Sequence, residues 1–108
     1  MGVNQSTTKG ELTMAHVFVV HHKVKDYAAW KKGFDGASGI RRAGGEKSWQ
    51  IFHPAGDPKN LTLHFEWDNL ENAHAYFSSP ELRKAMKSAG VIGEPDVSFL
   101  EEADQGTL

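Results

Sequence analysis

Six histidines and a scatter of carboxylates are the groups in this chain best suited to moving protons near neutral pH. His64 and Glu66 stand next but one to each other in an alternating run, LTLHFEW, so as a strand they share a face. A histidine beside a carboxylate makes a usable general base, because the negative charge stabilises the imidazolium and orients the ring. His21 and His22 are adjacent in a second apolar run, HVFVVHHKV, and in regular strand geometry they point to opposite faces. They therefore cannot chelate one metal together. His22 with His64 and Glu66 forms a polar trio that could take a proton from a substrate or hold a divalent cation. No spacing among them is diagnostic of a metal site, and no metal is expected. The competing reading of the trio is a polar network facing solvent or a second subunit.

Trp30, Trp49, Trp67 and Tyr76 are the large aromatic groups beside these histidines. In a small domain such residues build the core, and they are equally what a pocket for a flat substrate needs. Trp67, His74 and Tyr76 are the expected lining of such a pocket. Met86 falls in the stripe Leu82, Ala85, Met86, Ala89, which reads as core packing. The chain has no cysteine, which excludes thiolate catalysis, cysteine-based zinc sites and disulfides. It also lacks a phosphate-binding glycine loop before a helix, a serine nucleophile elbow and a dinucleotide fingerprint.

The elements that must position these groups follow from periodicity. His16 to Val24 reads as a strand with apolar residues on both faces, hence central in its sheet. Asp26 offers an N-cap to a helix with Tyr27, Trp30, Phe34, Ala37 and Ile40 on one face. Lys31, Lys32, Asp35 and Arg41 fall on its other faces. Gly33, Gly36 and Gly39 weaken this helix by roughly 1 kcal/mol each relative to alanine, so close packing or room for a ligand must compensate. Lys47 to His53 and Leu61 to Trp67 alternate on either side of the turn segment PAGDPKN and form a hairpin. Asp68 with Glu71 resembles a capping box, and Ser79-Pro80 restarts a helix. DVSFLEE, from Asp96, is the last strand.

The order is βαββαβ. Right-handed crossovers give a sheet of strand order 4-1-3-2, an α+β, ferredoxin-like antiparallel arrangement. Helices can cover only one face of this sheet, yet the other also carries large apolar groups. A second copy of the chain, a homodimer, is the expected cover. Residues 15–103 form the domain, with flexible tails at 1–13 and 104–108. At 108 residues, 39% hydrophobic and net charge −2, the chain is one folded domain with no basic stretch for nucleic acid. The longest apolar run, Val17 to Val20, is far too short for a membrane span. The N-terminus has no secretion-signal pattern, so the chain is read as soluble and cytoplasmic.

The blocks VHHKVKDYAAWKKGF, LTLHFEWDNLENAHAYFSSPELRKAM and GVIGEPDVSFLEE resemble the antibiotic biosynthesis monooxygenase-like proteins of the dimeric α/β-barrel superfamily. The resemblance implies that fold and a homodimer. It also implies a small-molecule ligand and, as its activity, a cofactor-independent monooxygenase acting on a small aromatic or enolisable substrate. Haem-degrading members of the superfamily use a Trp and an axial His where this chain holds Tyr76 and Met86. No cofactor is therefore expected. His22, His64 and Glu66 become the catalytic candidates. The alternative is a non-catalytic, ligand-binding or stress-related protein of the same fold.

Overall fold

The computed structural model of the protein describes residues 14–108. The expected tail 1–13 lies outside the described residues. The chain runs β1 (Ala15–Val24), α1 (Tyr27–Gly36), α2 (Ser38–Gly44), β2 (Glu46–Phe52), β3 (Asn60–Trp67), α3 (Leu70–Phe77), α4 (Pro80–Ser88), β4 (Val91–Ile92) and β5 (Asp96–Leu100). The α+β architecture follows the sequence reading, with β1 at the centre of an antiparallel sheet. β3 and then β2 lie on one side of β1, and β5 lies along the first part of its other edge. The short β4, which periodicity does not predict, pairs with Lys23 and Val24 at the end of that same edge.

One face of the sheet meets the helices. Ala15, Val17 and Val19 of β1 and Leu61, Leu63, Phe65 and Trp67 of β3 are buried there, as strict alternation requires. Trp30 and Ala73 join them from α1 and α3, with Phe34, Tyr76 and Phe77 packed around. The other face carries His16 and Phe18 of β1, Ser48 and Gln50 of β2, and His64 and Glu66 of β3, paired across the strands.

The single long helix expected after Asp26 is two helices. Asp26 does cap α1, accepting from Ala29 N–H at 2.8 Å. The helix then breaks at Ala37, whose φ and ψ are −94° and 6°. Gly36 and Gly39 flank the break and have open space where a Cβ would sit. They weaken helical continuity rather than permit close packing. After the break the face rotates. Ile40, assigned to the core by periodicity, is 69% exposed, and Arg41, assigned to the outside, is 3% exposed.

Two further differences are local. The cap of α3 is Asn69, which accepts from Asn72 N–H at 2.7 Å, while Asp68 bonds the Asn72 side chain. Along α4 no residue is fully buried, so Leu82 and Met86 do not close onto the core. Ser79 does cap that helix ahead of Pro80. Residues 104–108 are exposed and carry no regular element.

Candidate functional site

His22 reaches the helix side of the sheet through a β-bulge. Val19 pairs with Leu63 but His22 pairs with Leu61, so β1 advances three residues while β3 advances two. The extra residue is His21, at φ 56°, a left-handed conformation uncommon outside glycine and asparagine. Without the bulge, His22 would share the face of Phe18 and Val20. With it, His22 follows Val17 and Val19 onto the core face and is only 2% exposed. His21 points out, and its Nδ1 meets Asp96 Oδ2 at 2.7 Å.

The His22 ring lies edge-on to Trp30, with centroids 5.3 Å apart. Its Nδ1 is buried and has no hydrogen-bond partner among the described residues. Burial pushes its pKa down to about 4, so the imidazole is neutral at pH 7. It borders a cavity of about 510 Å³ between the sheet and α4, a size that suits a drug-sized ligand. Trp30, Phe34, Phe65, Tyr76 and Phe77 give the cavity aromatic walls, and Leu82 and Met86 face it from α4. The stripe read as core packing is thus a cavity wall, because α4 stands off the sheet.

Arg41 also lines this cavity. Its Nε donates to Glu46 Oε1 at 2.8 Å and its Nη1 donates to the Phe34 carbonyl at 2.6 Å. The guanidinium carbon sits 3.8 Å from the Phe34 ring centroid, a cation–π contact. Burial pushes the Glu46 carboxyl above the usual carboxylate range, and the guanidinium beside it opposes that rise. Tyr76 lies within electrostatic reach of both groups, and burial raises its phenol above the ordinary value, so it stays a donor.

The sequence trio is divided by the sheet. His22 faces the cavity, whereas His64 and Glu66 lie on the opposite face with His16. There His16 Nδ1 and His64 Nε2 are 2.9 Å apart, and His64 Nδ1 is 2.9 Å from Gln50 Oε1. Glu66 accepts from Ser48 Oγ at 3.0 Å, so its hydrogen bond goes to Ser48 and not to His64. Burial lowers the His64 pKa, His16 adds to the effect and Glu66 opposes it. Among the described residues no cluster of metal-ligating side chains is present.

Of the expected pocket lining, Tyr76 borders the cavity. Trp67 and His74 do not. Trp67 is fully buried against Tyr76 and Phe77, with its indole N–H unpaired among the described residues. His74 is exposed on α3 and stacks on Phe99 at 3.9 Å. Sequence reasoning missed Arg41 and Glu46. The available signal was the glycine cluster that breaks the helix, together with the Gly44-Gly45 turn that brings the two residues together.

No protein-family model matches the chain, and no curated protein matches it. Solved structures do match. A protein of unknown function from Nitrosomonas europaea superposes with a TM-score of 0.66 at 15% identity, covering 92% of this chain and 98% of that one. A candidate antibiotic biosynthesis monooxygenase from Bordetella bronchiseptica also gives 0.66, at 17% identity over 89% and 99% of the two chains. A Streptomyces coelicolor monooxygenase, solved in complex with the ligand nanaomycin D, gives 0.58 at 20% identity over 94% and 95%. This chain therefore has the fold of the antibiotic biosynthesis monooxygenase-like proteins, as its sequence blocks suggested.

Proposed function

We propose that this protein is a cofactor-independent, monooxygenase-like enzyme that takes a small aromatic or enolisable substrate into the cavity beside His22. One observation carries the reading: a neutral imidazole turned by a bulge to border an aromatic-walled cavity. A neutral imidazole can accept a proton from an acidic C–H or O–H of the substrate, and dry walls favour the charge-delocalised anion that remains. That anion is electron-rich enough to reduce O₂ directly. In the balanced reaction a substrate CH₂ becomes C=O, one oxygen atom enters the product, the other leaves as water, and the substrate supplies every electron.

The ligand-bound monooxygenase of the same fold supports a small-molecule role. The sheet divides the catalytic candidates, so His22 is the proposed base, and His64 with Glu66 serves the open face instead. That face also presents Phe52 and Leu100, 52% and 48% exposed, beside Phe18. A second copy of the chain is its proposed cover, which makes the working unit a homodimer. The alternative is a non-catalytic binding protein, favoured by the mainly apolar lining of the cavity.

Oxygen uptake with a panel of quinols and polyphenols separates the two. The enzyme reading expects uptake that His22→Ala abolishes and His64→Ala leaves in place. Ligand binding without any uptake would leave only the binding protein, and uptake unchanged in His22→Ala would remove the base.

A further inference from the structure

A fixed positive charge in an aromatic cavity has a chemical consequence for what the cavity accepts. The Arg41 and Glu46 side chains are 4% and 6% exposed, so this is a buried ion pair and not a surface one. Arg41 is held from three sides: Nε by Glu46, Nη1 by the Phe34 carbonyl, and one face of the guanidinium by the Phe34 ring. Its remaining nitrogen, Nη2, has no hydrogen-bond partner among the described residues. Yet it is not one of the fully enclosed unpaired atoms, which are His22 Nδ1 and Trp67 Nε1. Arg41 lines the cavity, and Nη2 is the guanidinium nitrogen that none of these partners occupies. Tyr76 lines the same space within electrostatic reach of Arg41, and its phenol is protonated.

We infer that Arg41, braced by Glu46 and assisted by Tyr76, is the anion-holding residue of the cavity, taking an oxygen of a planar aromatic carboxylate or phenolate. This deepens the proposed function and rests on the same reading of the cavity as a ligand site. A guanidinium whose orientation is already fixed loses little freedom on binding, and a charge-assisted hydrogen bond in a low-dielectric site is about twice as strong as a neutral one. Arg83 and Lys87 of α4 also border the cavity, opposed by Glu94, but both are exposed and hydrated, so they steer an anion rather than hold it. For a phenol, the oxygen held by Arg41 would carry the negative charge left when His22 accepts the proton, which is where an oxyanion donor belongs.

Calorimetry on the full chain tests this with 2-naphthoate and its neutral isostere 2-naphthamide. The wild type is expected to bind the carboxylate about tenfold more tightly or better. Removing both charges, as Arg41→Met with Glu46→Leu, should erase that preference while naphthamide still binds. Arg41→Lys, which keeps the pair but loses the fork, should show an intermediate preference and covers the case in which the double variant fails to fold. A nitrophenol provides the phenolate arm: bound to wild type, its absorbance should report ionisation at a lower pH than in solution, and bound to the double variant it should not. A carboxylate preference without that shift narrows the ligand to carboxylates. Equal binding of acid and amide by the wild type, or a preference that survives loss of Arg41, overturns the role of Arg41 and leaves the cavity as a ligand site. Binding of no aromatic probe at all removes both.

Discussion

His22 couples the site to the stability of the fold. Its pKa falls from the ordinary 6.5 to about 4 on folding. Between those values the unfolded chain binds a proton that the folded chain refuses, so stability is complete above about pH 6.5 and is lost as pH falls towards 4. The loss reaches about 3 kcal/mol at most. Urea titrations from pH 7 to pH 4.5 should show it, and His22→Leu should flatten that part of the profile. A wild-type profile as flat as that of the variant would mean that the ring is hydrated. Oxygen uptake, by contrast, should show no histidine-like fall between pH 8 and pH 6, because His22 stays neutral throughout. Arg41 and Glu46 pose the opposite problem of an obligatory charge. Arg41→Met alone strands a buried carboxylate and should cost about 3 to 5 kcal/mol, whereas the double variant with Glu46→Leu should recover much of that. Equal losses in single and double variants would mean that Glu46 finds water.

Elements were legible in the sequence where one periodicity ran without interruption. β3 alternates from Asn60 to Trp67 with no exception, and its buried and outward residues are those the pattern assigns. Reading failed where one residue changed the phase. His21 adds a single residue to β1 and carries His22 to the other face, and nothing in HVFVVHHKV marks a bulge there. The break at Ala37 does the same for a helix, turning Arg41 in and Ile40 out. Its glycines were visible, but the rotation they permit was not, because it depends on Arg41 finding Glu46 across the Gly44-Gly45 turn. These glycines separate two effects. Gly36 and Gly39 have free space at the Cβ position, so alanine at either should stabilise by about 0.5 to 1 kcal/mol. A Cβ at Gly44 would approach the Trp67 ring to 3.2 Å, and Trp67 is enclosed, so Gly44→Ala should destabilise by about 1 to 3 kcal/mol. Denaturant midpoints moving the same way for all three would contradict this division.

At the scale of the whole molecule the open sheet face sets the expectation. Helices cover one face of the sheet, and the other holds Phe18, Phe52 and Leu100 around a polar centre of His16, His64, Gln50 and Glu66. A second sheet would shield the apolar groups and find partners for the polar ones, which is why a homodimer of twice 11.9 kDa is expected from light scattering at micromolar concentration. The polar centre would make that assembly sensitive to acid. His16 and His64 share a hydrogen bond in which one ring must offer an unprotonated nitrogen. Protonating His64 would place a positive charge between the sheets, with Glu66 and Glu102 the nearby carboxylates among the described residues. Burial already holds His64 below the ordinary histidine range, and a covering sheet would bury it further. The dimer would then bind fewer protons than two separated chains, so its dissociation constant should rise as pH falls below the histidine range. His64→Gln keeps a hydrogen-bonding side chain without the titration, so it should leave the dimer intact at neutral pH and remove most of the acid response. Phe18→Asp puts a charge among the apolar groups of the same face and should give monomers at every pH. A wild type that sediments as a monomer at neutral pH would instead leave the face open to water and make each cavity the property of a single chain.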